Sequence, residues 1–412
     1  MDNFQKSLEK MIAGKLSDNK AMELSNESID TAEKASAVCA ALEKVMEGKF
    51  DDDAAELVRT LAAFLQQVET EEAADVFHAR AFGPLGRAFD KLRENVEENA
   101  DDLLFLLKIA AMYGERPILA HIPELIRNPE MEDEYLWSIL FDVLARIKDF
   151  TGSVEIAEQL RDPLPNQFSG IAYLDFVNEL CKDGRLKSHP FDTAEGKKRL
   201  EGLLAKGDDD EDDDDSYAVS AASALAFISN PERDELLEKA RSHSELGVRM
   251  AAAFADARLG NEKGIEQLVG WALQPAVSSS ACEYLESLGL KDRVPEAVND
   301  PDFDAMAEMC RWLSHPAEAG RPPDAIEVFD SREIMWEGER TPVWAMRFTY
   351  NGDDGEETTD YGMVGLHTFS FFDYGKNPTP EDIYALHLAF EVDGEPDLKS
   401  GRKLFQKAIE GI

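Results

Sequence analysis

Helix-ending residues recur along this chain at a nearly constant interval, and this recurrence limits the possible folds more than any other feature. Apolar residues follow a helical period up to about residue 315. A single globular bundle needs no regular interval, whereas stacked helical hairpins do. Breaks in the helical period occur at Gly114, Asp149 and Gly184, spaced by 35 residues, and at Asn230, Gly260, Gly289 and His315, spaced by 26 to 30 residues.

The segment from Asp101 to Gly114 indicates how such helices are buried. Its side chains are apolar around almost the whole helix, and Lys108 interrupts them. A helix that is apolar on every side must be covered by neighbours on both sides. The segment therefore predicts the inner helix of a layered stack, ended by a glycine suited to the left-handed conformation of a C-cap.

Small side chains dominate the later helices, as in the alanine-rich stretches 221–226 and 251–257. The sequence ACEYL at 281–285 is similar to MCRWL at 309–313, 28 residues later. On these residues the segment Ser216 to Pro316 resembles the short HEAT-like repeats also found in phycobilin lyases and deoxyhypusine hydroxylase. The resemblance covers about a quarter of the chain, and it implies an α-solenoid.

The first 200 residues leave two repeat types open. Their longer spacing also suits tetratricopeptide repeats, which have a period of about 34 residues. The Trp, Leu-Gly and Tyr pattern of those repeats is missing from this part of the chain. We therefore favour an irregular HEAT-like array here as well.

After Arg321 the pattern changes from helical spacing to alternation, which predicts strands. A second predicted strand runs from Tyr361 to Phe372, and Thr379-Pro380-Glu381-Asp382 has the residues of a helix N-terminus. A last helix is predicted near 399–410. The first predicted strand places on one face Trp344, Met346, Phe348 and Tyr350, and on the other Val343, Ala345, Arg347 and Thr349.

These patterns together predict a mainly α fold, an α-solenoid of stacked helical hairpins followed by a small α+β domain with about three antiparallel strands and two helices. The predicted parts are a helical repeat region at 1–207, an acidic loop at 208–215, HEAT-like repeats continuing the solenoid at 216–320, and the α+β domain at 324–412. The acidic run has no apolar residue to bury. It also lacks the Asp-x-Asp-x-Asp-Gly pattern of a calcium loop, so it predicts a solvated loop.

Charge restricts the partners. The chain has 84 acidic and 43 basic residues and a net charge of -41, spread over its whole length. Nucleic-acid binding depends on Lys and Arg displacing counterions from phosphates, so DNA and RNA are excluded as expected partners, and so are anionic membranes. A protein partner with a basic surface is the class that such a field favours.

The cysteines and the N-terminus predict a cytoplasmic protein. The four cysteines, Cys39, Cys181, Cys282 and Cys310, form no CxxC pair, which favours reduced thiols. The first 14 residues mix charged and apolar side chains, unlike a signal peptide. No stretch approaches the roughly 18 consecutive apolar residues of a membrane span.

Sequence signals for catalysis are missing. Deoxyhypusine hydroxylase binds iron through His-Glu dipeptides on successive hairpins, and none of the seven histidines here precedes a glutamate. The chain also has no HExxH, GxSxG, Walker or GxGxxG motif of the required context. We therefore expect no metal and no cofactor.

Two sets of residues are candidate binding sites. The second helix of each hairpin lines the inner face of a solenoid, which nominates Glu235, Lys239, Gln267, Trp271 and Arg293. Trp271 is either an interface anchor or a packing residue against the next hairpin. The aromatic-rich C-terminal domain could instead hold a pocket lined by Trp336, Trp344, His367 and His387.

The favoured function is a non-enzymatic scaffold or adaptor that binds a protein on its concave solenoid face. The alternative is an enzyme or small-ligand binder with a pocket in the C-terminal domain. The two differ in whether the four C-terminal side chains converge on one site.

Overall fold

The computed structural model describes residues 3–148, 150–205, 215–229, 231–352, 356–371 and 378–410. It is mainly helical, at 65%, with a small antiparallel sheet near the C-terminus. By internal contacts the chain divides into two compact units, Met1–Arg249 and Met250–Ile412, called the helical unit and the C-terminal unit below. The acidic run predicted as a loop at 208–215 lies almost wholly outside the described residues.

The helices before the sheet are short to medium in length, with 3-10 turns between several of them. They are α1 (Asn3–Ile12), α2 (Asp18–Ser25), α3 (Ala32–Met46), α4 (Asp52–Ala63), α5 (Glu71–Arg80), α6 (Phe82–Leu92), α7 (Val96–Tyr113), α8 (Arg116–Leu119), α9 (Ile122–Leu125), α10 (Glu134–Arg146), α11 (Gly152–Gln159), α12 (Gln167–Lys182), α13 (Ala194–Leu204), α14 (Asp215–Ala224), α15 (Glu232–Arg241), α16 (Leu246–Arg258), α17 (Glu262–Ala272), α18 (Ser278–Ser287) and α19 (Pro301–Leu313).

Four of the predicted helix ends are glycines in the left-handed region: Gly114, Gly184, Gly260 and Gly289 all have φ between 67° and 86°. At Gly114 the backbone N–H donates to the carbonyl of Ala111, which satisfies an end group of α7. The predicted ends at Asp149 and Asn230 lie outside the described residues. Before residue 320, the described part of the chain has a single isolated β-bridge, between Ile29 and Val68.

The helical unit contains two rows of helices in sequential contact. The helices α7, α10, α12 and α14 are in contact in that order, and outside this series α9 contacts α11 and α13 contacts α15. The all-apolar segment of α7 is buried as predicted, through Leu103, Leu104, Leu107 and Ile109. Contacts with α4, α6 and α10 account for the apolar residues around most of this helix.

The sheet has four antiparallel strands in the order β1-β2-β3-β4. They are β1 (Ala325–Trp336), β2 (Glu339–Asn351), β3 (Glu357–Val364) and β4 (Phe369–Phe371). The sheet has one strand more than the roughly three expected from the sequence, because the single strand expected from Tyr361 to Phe372 is interrupted. The interruption begins at Gly365, which has φ 140°, a conformation that favours glycine. A Cβ at this position would also lie 2.6 Å from the carbonyl oxygen of Pro342, so the turn between β3 and β4 requires a residue without a side chain.

Helices cover both faces of the sheet. The two C-terminal helices, α20 (Pro380–Asp393) and α21 (Leu398–Glu410), pack on one face against Val343 and Ala345. On the opposite face, α19 packs against Met346 and Phe348. The predicted strand faces are therefore confirmed for these residues. The helix α19, which the sequence assigns to the HEAT-like repeats, is a layer of the C-terminal unit.

Candidate functional site

A concave region of the helical unit lies where two loops meet α13. One loop joins α9 to α10, and its turn is set by Asn128, whose side chain accepts from the N–H of Glu130 at 3.0 Å. The other loop joins α11 to α12 and contains Pro163 and Pro165. Neither proline carries a backbone N–H, so this loop presents carbonyl groups to its neighbours.

Two glycines allow these segments to approach closely. A Cβ at Gly170 of α12 would lie 2.8 Å from the carbonyl oxygen of Pro165. A Cβ at Gly196 of α13 would lie 2.3 Å from the carbonyl oxygen of Phe191. Both contacts are with backbone, which cannot move aside as a flexible side chain could. The absence of a side chain at these positions therefore fixes the walls of the concavity.

Two cavities adjoin in this region and share Pro165 and Arg199 as lining residues. The first, called the apolar cavity, has a volume of about 540 Å³. The second, called the polar cavity, has a volume of about 830 Å³. The apolar cavity is lined by Pro165, Phe168, Gly170, Ile171, Phe191, Arg199, Gly202, Leu203 and Tyr217. The polar cavity is lined by Ile126, Arg127, Asn128, Pro129, Met131, Glu132, Pro163, Leu164, Pro165, Asn166, Ser169, Glu195 and Arg199.

Arginines hold the proline-containing loop in place. Arg127 donates to the carbonyl oxygens of Gln159 and Pro163, at 3.2 and 3.1 Å. Arg199 donates to the carbonyl oxygen of Pro165 at 2.7 Å and pairs with Glu195 at 2.5 Å. Two guanidinium groups are thus bonded to carbonyls two residues apart on one loop.

Phe168 is the exposed apolar residue of this site. Its side chain is 48% exposed although it lines the apolar cavity, whereas Phe191 beside it is buried. A large ring left in solvent at the mouth of a concave site is a common feature of binding surfaces. Sequence periodicity does not identify this residue, since one exposed aromatic near a helix start carries no distinctive pattern.

The residues nominated for a concave solenoid face are engaged in local contacts. Lys239 on α15 pairs with Glu201 of α13 at 2.6 Å and lies 3.8 Å from Glu235. These ion pairs raise the pKa of Lys239, chiefly through the hydrogen bond to Glu201. The pair with Glu201 joins α13 to α15, whereas Glu235 and Lys239 lie on the same helix.

The other three nominated residues belong to the C-terminal unit. Gln267 is exposed on α17, and Trp271 on the same helix is half-buried. Arg293 follows α18 and pairs with Glu262 of α17 at 2.8 Å. The five nominated residues are thus divided between the two units, two in the helical unit and three in the C-terminal unit. None of them lines the cavities described above.

The four candidate residues of the C-terminal pocket do not share one site. Trp336 packs on the sheet face that α20 and α21 cover, whereas Trp344 packs on the opposite face. Trp344 also donates from Nε1 to Oδ1 of Asp302 on α19, at 2.7 Å. The sheet therefore separates the two indoles, and both contribute to packing.

His367 and His387 are brought together through a residue that the sequence did not indicate. Oε1 of Glu391 lies 2.7 Å from Nδ1 of His367 and 3.1 Å from Nε2 of His387. His387 is fully buried, and this burial lowers its pKa to about 4, against the opposing effect of Glu391. Within the part of the chain that the structure describes, no group of three His, Cys, Asp or Glu side chains is placed to hold a metal ion.

Comparison of the chain with protein-family models, curated proteins and solved structures finds no match. Among the described residues, no helix combines the length and apolarity that a membrane crossing requires.

Proposed function

We propose that this chain is a non-enzymatic protein-interaction scaffold, built as an α-solenoid of HEAT-like repeats, and that it binds its partner through the helical unit. The observation that carries the proposal is the pair of adjoining cavities, with the exposed ring of Phe168 at the mouth of the apolar one. A concave surface with an aromatic anchor and a polar rim suits recognition of another polypeptide.

The rows of helices support the solenoid part of the proposal. The helices α7, α10, α12 and α14 are in contact in chain order, and α9 with α11 and α13 with α15 form further contacts. A repeat array stacks its hairpins in such an order, because each hairpin buries its apolar side only against its neighbours. The alternative function in the C-terminal unit has less support, since the two tryptophans lie on opposite faces of the sheet.

Charge supports a partner with a basic surface. The chain carries a net charge of -41, and such a field attracts cationic surfaces and is screened over about 8 Å at physiological ionic strength. The acidic run at 208–215 follows α13 in the sequence and leads into α14. Leu203 of α13 and Tyr217 of α14 both line the apolar cavity. A cytoplasmic location is part of the same proposal.

The test is affinity capture with the full chain as bait. An unrelated protein of similar negative charge serves as the control bait, so that retention by charge alone is recognised. We expect a polypeptide with a basic surface to be retained by this chain and not by the control, and its affinity, measured with purified partner, to fall as salt rises. Retention of nothing beyond what the control retains would contradict the proposal.

A further inference from the structure

In the described part of this strongly acidic chain, Arg127 is a cation whose hydrogen bonds go to backbone carbonyls and not to carboxylates. Its guanidinium donates to the carbonyl oxygens of Pro123, Gln159 and Pro163, at 2.5, 3.2 and 3.1 Å. Among the described residues, no Asp or Glu side chain forms an ion pair with it. A guanidinium has five N–H donors, so the three carbonyl bonds leave two that can bond a ligand in the polar cavity.

The second arginine of the polar cavity is already neutralised. Arg199 pairs with Glu195 at 2.5 Å, and both line the cavity together with Glu132. Of the two arginines that line the polar cavity, Arg127 is therefore the one that bonds no carboxylate in the described part of the chain. An anion with oxygen acceptors is the ligand chemistry that such a group favours, because hydrogen bonds between charged groups are the stronger ones.

The adjoining apolar cavity suits a large side chain attached to that anion. Its volume of about 540 Å³ is bounded by Phe168, Ile171, Phe191 and Leu203. The two cavities meet at Pro165, and the carbonyls that bond the two arginines are those of Pro163 and Pro165. Two residues of extended chain span at most about 7 Å, so the carbonyl that bonds Arg127 lies close to Pro165, where the cavities meet. A large side chain next to a carboxylate bound at Arg127 can therefore extend toward the apolar cavity.

The remaining polar groups favour a polypeptide over a small free acid. The polar cavity is about 830 Å³, more than a carboxylate requires, and it presents the side-chain amides of Asn128 and Asn166. An amide side chain both donates and accepts, as peptide groups do, so these two residues can bond a backbone that continues away from its terminus.

We propose that the two cavities bind the free C-terminal carboxylate of a partner polypeptide whose last residue has a large apolar side chain. The carboxylate bonds Arg127, and the last side chain fills the apolar cavity beside Phe168. The inference rests on the proposed function, because it names the part of a protein partner that this site recognises.

The test uses the full chain and a dye-labelled peptide, Ala-Lys-Ala-Lys-Phe, with either a free C-terminal carboxylate or a C-terminal amide. The lysines match the acidic field of the protein. Fluorescence anisotropy measures both affinities. We expect the amide to bind at least about tenfold more weakly, since a hydrogen bond to a charged group contributes about 1.5–3 kcal/mol. Equal affinities would overturn the proposal.

Variants identify the residues responsible. Arg127→Gln should weaken the free-carboxylate peptide about tenfold more than it weakens the amide, because the amide has no charge to lose at this position. Arg161→Gln is the matched control, because Arg161 also bonds a backbone carbonyl, that of Ser188 at 2.8 Å, but lines neither cavity. It should keep the affinity of the original chain. Phe168→Ala removes an exposed ring, so it should reduce binding without lowering the thermal midpoint, and full affinity in this variant would contradict the proposal.

Two further comparisons separate the site from the function. If 3-phenylpropionate binds as tightly as the peptide, the ligand is a small acid and the polypeptide proposal is wrong. If the peptide binds as expected while affinity capture retains no partner, the site stands and the scaffold function fails. If a captured partner binds equally well after its C-terminus is extended by several residues, the function stands and this site fails.

Discussion

Gly401 permits close contact between α21 and α20, and replacing it with alanine tests that packing. The glycine is buried on α21 and faces the backbone of α20. A Cβ at this position would lie 1.8 Å from the carbonyl oxygen of Ala385 and 2.4 Å from its carbonyl carbon. Both atoms belong to the backbone of a buried helix, so the clash is relieved only by moving the helices apart.

The expected magnitude follows from two opposing effects. Ordinary contact begins near 3.4 Å, so α20 and α21 must separate by about 1.6 Å, and overpacking of this kind costs about 3 kcal/mol at the upper end of its usual range. Alanine is a better helix former than glycine by about 1 kcal/mol. The net loss is therefore about 2 kcal/mol, which lowers the melting temperature of a domain of this size by about 4–8 °C.

Differential scanning calorimetry of the full chain measures the effect. The matched control is Gly270→Ala on α17, where a Cβ would meet no atom within 4 Å. Without a clash the control should gain up to about 1 kcal/mol from helix propensity. If Gly401→Ala raised the melting temperature as the control does, α20 and α21 could not approach as closely as described.

Three further predictions concern other parts of the molecule. His189 is buried; its Nδ1 accepts from the N–H of Phe191, and its Nε2 lies 3.0 Å from Oδ1 of Asn178. Burial lowers the pKa of His189 to about 3. Because the unfolded chain takes up the proton at a higher pH than the folded chain, the free energy of unfolding should fall by about 1.4 kcal/mol per pH unit as pH drops from about 6.5 toward 3. Urea denaturation of His189→Gln should show a weaker pH dependence, and an identical one would contradict the assignment. Trp344→Phe removes the hydrogen bond to Asp302 and should cost about 1 kcal/mol in the same assay, whereas no change would mean that this bond does not join α19 to the sheet. Deleting residues 209–214 should leave the thermal midpoint unchanged, since the run has no apolar side chain to bury; a large drop would assign it a structural role.

Local backbone chemistry made the helix ends predictable. Gly114, Gly184, Gly260 and Gly289 combine a left-handed conformation with the last turn of a helix, and this preference belongs to the residue itself. The alternation from Val343 to Tyr350 likewise revealed two strand faces. In both cases the signal depends on near neighbours in the sequence.

Features that depend on distant segments were not predictable in the same way. The helical pattern of α19 does not reveal that its buried side faces a sheet, since Met309 can pack equally well against helices. The cavities require the α9–α10 loop to meet residues some 36 positions later, as in the bond from Arg127 to Pro163. Nothing in the sequence distinguishes Glu391 from the other acidic residues, of which the chain has 84 in all. Its role becomes visible in the structure, where it contacts both His367 and His387.

With both faces of the sheet covered, its edges are the remaining places where backbone groups could pair with another chain. The β1 edge is 12 residues long, enough to template an added strand and to start aggregation. Its pairing with β2 shifts register between Val328 and Asp330, which distorts the strand midway. Charged residues Glu327, Asp330, Arg332 and Glu333 occupy the same stretch. The β1 edge is therefore protected against intermolecular strand pairing by the distortion of the strand and by its charged side chains.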